Sequence, residues 1–283
     1  WFFCIIFKKL TSLGLFYKLL NVIQIEGDKI KLPIEKGEEI DLRKADKLAK
    51  KTKKLMENTS CKRIVLSKEI KKQEQYRNLL ETEGFQVIEG DWLEEILVNE
   101  IITYIIEKKN MKKDEIQISI LVNDISENML ENLRKIIKEY KKVNIITNHL
   151  EKFKNIEEKF EKEEGIMIVV NNNKRKSLTK SDIIINVDFP TELLNKYKIY
   201  DEAIIVKTKA KINKKRFNGL VINNYEISYK NDEAFDYEKS ILYDKKDIYE
   251  SMFYKKQPYD ETIKKIKKDK VKISKLMGNK QSI

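Results

Sequence analysis

From residue 21 onward, short β-branched runs alternate with stretches whose apolar positions recur every three or four residues, the marks of strands and amphipathic helices in turn. Val22-Ile23-Gln24-Ile25 and Ile30-Lys31-Leu32 flank Gly27-Asp28, and this alternation across a two-residue turn predicts a hairpin. Asp41 is placed to cap a helix carrying Leu42, Ala45, Leu48, Ala49, Leu55 and Met56 on one face. Ile64-Val65-Leu66 reads as a buried strand. Residues 73–83 read as a helix with Tyr76, Leu79 and Leu80 inward and Gly84 ending it, followed by a strand at Phe85-Gln86-Val87-Ile88. Gly90-Asp91 opens a long helix reaching Lys108. The polar stretch 107–114 predicts a boundary, so residues 1–110 are expected to form a small α/β domain with a long linking helix.

The second half repeats the alternation more cleanly. Residues 116–122, 143–146, 166–170, 183–187 and 203–206 predict five strands. Between them, Met129, Leu133, Ile136 and Tyr140 stripe one helix, and Leu150, Phe153, Ile156 and Phe160 line another closed by Gly165. Pro190 takes the first position of a further helix ahead of Leu193, Leu194 and Tyr197. Strands and helices in such alternation imply parallel pairing through right-handed crossovers, with helices on both faces. The unbroken run Ile166-Met167-Ile168-Val169-Val170 suits a strand covered on both faces. Gly219-Leu220-Val221-Ile222, with Tyr225 and Ile227, adds an edge strand. Residues 231–283 read as helical, with Tyr237, Ile241, Leu242, Ile248 and Met252 at helical spacing. The expected fold class is therefore α/β: domains at 1–110 and 111–230, the second a parallel sheet, and a helical, lysine-rich tail at 231–283.

Composition narrows the chemistry. A chain of 283 residues with 8 glycines and 3 prolines is neither collagen-like nor a Gly/Pro linker. Cys4 and Cys61 cannot build a disulfide scaffold, which fits a reduced, cytoplasmic protein. His149 is the single histidine, so a multi-histidine zinc site is excluded and no metal is expected. The net charge is +12, yet only six of the 58 basic residues are arginine, the side chain best suited to bidentate phosphate contacts. The densest basic run, residues 264–272, holds few aromatics for base stacking. Charge thus argues against a nucleic-acid face and leaves association through the tail as a weaker alternative. Trp1-Phe2-Phe3-Cys4-Ile5-Ile6-Phe7 is apolar but far short of the ~20 residues that span a bilayer. No other stretch reaches that length without charges, so no transmembrane span is expected. The apolar start reads as a helix or packed arm, in a chain that opens on Trp1 and leaves room for a longer protein.

In an open parallel sheet, ligands bind outside the carboxyl ends of the strands. The residues after each expected strand are Asn123, Asp124 and Ser126, then Thr147, Asn148 and His149. Asn171, Asn172, Asn173, Lys174, Arg175 and Lys176 follow, and then Asp188. Helix capping accounts for much of this polarity, and Asp124 or Ser126 would cap the next helix. The 171–176 loop exceeds what one turn requires and could offer amides and positive charge to a small anionic ligand. The candidate ligand-binding set is Asn123, Asn148, His149, Asn171, Asn172, Asn173, Lys174, Arg175 and Asp188. No catalytic constellation accompanies it: there is no phosphate-binding P-loop and no nucleophile elbow. Cys61 reads as a structural thiol, and Asp182 and Asp188 lack a defensible acid–base partner.

Two strings carry a resemblance. Ile145-Ile146-Thr147-Asn148-His149-Leu150 is similar to a strand ending in Asn-Arg-Thr, without the arginine, and Ser181-Asp182-Ile183-Ile184-Ile185-Asn186 is similar to an Ala-Asp-Ile-Ile-Ile-Asn strand. With the order of elements from Gln117 to Lys207, they resemble the second domain of shikimate dehydrogenases and glutamyl-tRNA reductases. That resemblance implies a Rossmann-type NAD(P)-binding domain. The turn after the first strand departs from it: Asn123-Asp124-Ile125-Ser126-Glu127-Asn128 has no glycine where the dinucleotide fingerprint needs three, and two carboxylates where an anion should sit. NAD(P) is thus implied by fold analogy and disfavoured by the missing glycines. The expectation is a non-catalytic or regulatory descendant of a dehydrogenase-type fold, acting on a protein partner. The alternative is a nucleotide- or anion-binding enzyme using a cleft between its domains.

Overall fold

The computed structural model describes residues 24–26, 29–34, 37–57, 62–165, 167–208, 212–230, 241–253 and 257–283. Residues 1–7, Gly27-Asp28, Cys61, Ile166 and Tyr237 lie outside them. Strands β1 (Gln24–Glu26) and β2 (Lys29–Lys31) pair antiparallel, Gln24 opposite Lys31, as the hairpin pattern requires. Helix α1 (Leu42–Met56) begins where the Asp41 carboxylate accepts the Lys44 N–H at 2.7 Å. Strand β3 (Arg63–Val65), helices α2 (Lys68–Lys71) and α3 (Glu74–Thr82) and strand β4 (Gln86–Ile88) follow.

The expected long helix is two: α4 (Asp91–Ile96) and α5 (Val98–Lys108), broken at Leu97. Then come β5 (Gln117–Leu121), α6 (Glu127–Glu139), β6 (Lys142–Ile146), α7 (Leu150–Glu164), β7 (Val169–Asn171) and α8 (Lys174–Leu178). The chain continues through β8 (Ile183–Asn186), α9 (Thr191–Asn195), β9 (Ile204–Lys207) and β10 (Leu220–Ser228), and then α10 (Lys245–Ser251), α11 (Tyr259–Lys268) and β11 (Lys272–Gly278). The tail is thus helical at α10 and α11, but the lysine-rich run passes from α11 into a strand that periodicity did not reveal. Ile273 and Leu276 of β11 are buried among lysines.

The chain divides into two compact units, Trp1–Glu89 with Tyr237–Ser251, and Gly90–Asp236 with Met252–Ile283. The boundary expected near residue 110 lies inside the second unit, where α4 and α5 pack on α6. In the first unit β3 and β4 run parallel, Ile64 opposite Val87, and α10 packs across both. Its core gathers Ala45, Leu48, Ala49, Leu66, Tyr76, Leu80 and Phe85, with the Tyr76 hydroxyl 2.9 Å from that of buried Thr52.

In the second unit seven strands form one sheet in the order β11-β10-β9-β8-β5-β6-β7. Every pair is parallel except β10–β11. Numbered from β5, the six parallel strands run 3-2-1-4-5-6, the doubly wound Rossmann order, whose reversal falls between β5 and β8. Ile183, Ile184 and Ile185 of β8 are fully buried, as a strand covered on both faces should be. Each such side chain contributes on the order of 2 kcal/mol. Gly219 leads into β10 where a Cβ would lie 2.2 Å from the Ala203 carbonyl oxygen, so only glycine fits. Two expectations need correcting. Strand β10 is not an edge, because β11 pairs outside it. Strand β7 is not covered on both faces: it is the opposite edge, and Val169 is 55% exposed.

Candidate functional site

Eight residues of the candidate set follow β5, β6, β7 or β8 and Asn171 ends β7, so parallel pairing gathers all nine along the carboxyl edge of one sheet. Three of them form a continuous hydrogen-bonded chain. The Asp188 carboxylate accepts the Asn123 N–H at 2.8 and 3.0 Å, one distance to each oxygen, and the Asp124 N–H at 2.7 Å. The Asn123 side-chain oxygen in turn accepts the Asn148 N–H at 3.0 Å. The others form local turns. The His149 N–H donates to the Thr147 hydroxyl at 3.0 Å, and its ring is exposed. Asn171 Oδ1 accepts the Asn173 N–H at 2.9 Å, and Asn173 Oδ1 caps α8 through the Lys176 N–H at 3.0 Å. Lys174 folds inward, its Nζ 3.4 Å from the Asn172 carbonyl and 5.8 Å from the Phe189 ring centre, and burial pushes its ammonium down. Asn172, Arg175 and Lys176 are exposed.

The Asp188 contact lies at the reversal of strand order. There a dinucleotide-binding domain places the pyrophosphate against the amides of its first turn. Here those amides hold a carboxylate from the chain itself. Asp124 points the other way and pairs with Lys152 at 2.5 Å. Ser126 caps α6 by accepting the Met129 N–H at 3.1 Å and donates its hydroxyl proton to the Glu95 carboxylate. Asn132 of α6 donates to the Glu95 carbonyl at 2.7 Å, tying α4 to α6. Asp182, at the other end of β8, accepts the Gln117 N–H at 2.8 Å, so it too serves the backbone.

Two charged clusters escaped the sequence reading. At the end of β9, Lys207 Nζ lies 3.1 Å from Asp91 Oδ1 and 3.2 Å from Glu94 Oε2, with the lysine and glutamate side chains 8% and 1% exposed. Burial alone would lower the Lys207 ammonium, but Glu94 and Asp91 more than offset it and hold it above its ordinary range. The Tyr225 hydroxyl donates to the Gly90 carbonyl at 2.6 Å, fixing the start of α4. The available signal was Asp91 and Glu94 three residues apart on an apolar helix, with Lys207 closing an apolar strand.

The first unit holds the other cluster. Lys71, in the helix after β3, reaches Asp247 Oδ2 at 2.5 Å and Asp244 Oδ2 at 3.0 Å. Lys246 donates to the Glu89 carbonyl after β4 at 2.7 Å. Asp247 is fully buried, and its Oδ1 accepts no hydrogen bond among the described residues. Burial pushes its carboxyl up to about 6, against the pull of Lys246 and Lys71. Burial also works against the Lys71 ammonium, yet Asp247 and Asp244 hold it raised.

Among the described residues, no three His, Cys, Asp or Glu side chains are grouped to hold a metal ion, and no helix is long and apolar enough to cross a membrane. The strand order and the carboxyl-edge site define the second unit as a Rossmann-like α/β domain. No protein-family model matches the chain, and no curated protein matches it. Among solved structures, it is similar to an ornithine carbamoyltransferase from Pyrococcus furiosus at 12% identity and a TM-score of 0.30, with 61% of each chain covered. It is also similar to a shikimate 5-dehydrogenase-like protein at 13% identity and a TM-score of 0.24, with 44% of each chain covered. The chain thus spans about three fifths of the first structure's length and less than half of the second's.

Proposed function

We propose that this is a Rossmann-like protein whose phosphate position is taken by its own carboxylate, and that it works as a binding or regulatory module rather than by conventional dinucleotide chemistry. The Asp188 carboxylate on the Asn123 and Asp124 amides carries this reading. A diphosphate entering there must displace a bound negative charge and meet the exposed carboxylate of Asp124, and no glycine gives it room. Thermal unfolding of the wild type with millimolar NAD, NADP or ADP should leave Tm unchanged, because a ligand that binds the native state raises it. A clear rise with NAD would sink the reading. The exposed Asn172, Arg175 and Lys176 at the same carboxyl edge favour a second use, holding a small anionic ligand. If so, inorganic phosphate raises Tm and the double substitution Asn172→Ala with Arg175→Ala abolishes the rise.

A further inference from the structure

The two edges of the seven-stranded sheet are finished in opposite ways. Natural sheets protect their edges with lysines, bulges or covering chain, since an open row of N–H and C=O groups is a template for another strand. Strand β11 has these protections. It carries exposed Lys272 and Lys275, its pairing with β10 shifts register twice, and Leu276 exchanges N–H and C=O bonds with Ile283 at 2.8 and 2.9 Å on its outer side. Among the described residues strand β7 has none of them: its residues are Val169, Val170 and Asn171, and no described strand pairs outside it.

The Asn171 carbonyl accepts the Thr147 N–H on the β6 side, so strand alternation turns the N–H and C=O of Val170 to the open side. Asn171 stands beside Ile146, which packs with Leu178 of α8. Val169, two residues before Asn171 in the strand, therefore lies on the α8 face. Helix α8 has only five residues; it packs on β6 and meets β7 at Asn171, whose Oδ1 accepts the Ser177 hydroxyl at 3.3 Å, while Met167 is 86% and Val169 55% exposed. Around the edge, on the α7 side, a groove of about 340 Å³ is lined by Lys154, Glu157, Glu158, Glu161, Met167 and Ile168. Lys154 is drawn to Glu151 at 2.7 Å and Glu158 to Lys162 at 3.1 Å, whereas Glu157 and Glu161 form no ion pair among the described residues. On a chain of net charge +12, this edge is locally acidic on one face and apolar on the other.

We propose that β7 is a strand-addition site for an extended peptide whose side chains alternate between apolar and basic. Its backbone would pair with Val170 on the open edge, which supplies affinity irrespective of sequence. Its apolar side chains would cover Val169, and its basic ones would meet Glu157 and Glu161, which supplies selectivity. A second copy of this chain fits less well, because two-fold pairing of β7 with itself brings the same glutamates together.

The test is fluorescence anisotropy with a labelled hexapeptide alternating lysine and valine, compared with one alternating glutamate and valine. The lysine peptide should bind saturably and at least about tenfold more tightly than the glutamate peptide. Val169→Lys, at an exposed side chain, should weaken it by about tenfold, and Glu157→Lys with Glu161→Lys should do the same. Val170→Pro removes the outward N–H without touching the ladder to β6 and should abolish binding, while Lys275→Glu on β11 should leave it unchanged. Unchanged melting temperatures separate these effects from unfolding. No binding of the lysine peptide, equal binding of both peptides, or binding indifferent to Val170→Pro would overturn the proposal. So would sedimentation of the wild type as a dimer that Val169→Lys splits, which gives the edge to a second copy.

Discussion

Asp188 and Asp247 are both aspartates near the carboxyl ends of parallel strands, one in each unit, and their surroundings treat them in opposite ways. Asp188 is half-buried and receives three hydrogen bonds from two backbone amides, groups that folding has already fixed in place. Asp247 is fully buried, faces lysines, and keeps one oxygen without a hydrogen bond among the described residues. A carboxylate held by amides can serve as a permanent part of a turn. One held by ammonium groups alone depends on its partners' charge and remains sensitive to pH.

The comparison can be broken at four points, beginning with the largest effect. Lys207→Met should destabilise the second unit by about 3–5 kcal/mol, because it removes the buried ammonium that faces Asp91 and Glu94. Urea denaturation measures this, and a loss within error would show that the ion pairs of Lys207 do not hold the second unit. Next is Asp247, whose folded-state carboxyl, pushed up to about 6, lies above the ordinary value of 3.8. Between those values the folded state holds the extra proton, so this group's contribution to stability is full below the lower value and fades as pH rises through the upper one. The fade is worth up to about 3 kcal/mol. Asp247→Asn should remove that component, so denaturation curves of variant and wild type should diverge between pH 4 and pH 7; parallel curves would contradict the assignment.

Asp188→Ala should cost about 1–3 kcal/mol by leaving two amides without their acceptor, and Asp188→Asn less, since its amide oxygen still accepts. Equal losses for the two variants would show that charge, not hydrogen bonding, holds the turn. The smallest effect belongs to Lys152→Ala. It breaks an exposed pair with Asp124 and should cost under about 1 kcal/mol, and less in high salt. A larger loss would make Lys152 part of the same structural unit as Asp188.

Much of this was legible from residue order. The caps at Asp41 and Ser126, the alternation of strands with helices, and the parallel pairing of β5, β6, β8 and β9 all rest on local pattern, and the polar residues after each strand marked the carboxyl edge. The run 166–170 misled because apolar content alone cannot distinguish a central strand from a bare edge. The strand at Lys272–Gly278 was hidden because its buried residues, Ile273 and Leu276, stand three apart across a register shift, so no two-residue period shows.

By itself, the chain's pattern of apolar and polar residues determined which segments become helix or strand, and hence which residues lie at strand ends, because hydrogen bonding and side-chain periodicity are local. Only the tertiary structure decided which strand became an edge, which carboxylate fills the amide turn, and which lysine meets Glu94. Those outcomes join residues 65, 64 and 113 positions apart, for Asp188 with Asn123, Asp188 with Asp124, and Lys207 with Glu94, and only packing brings such partners together.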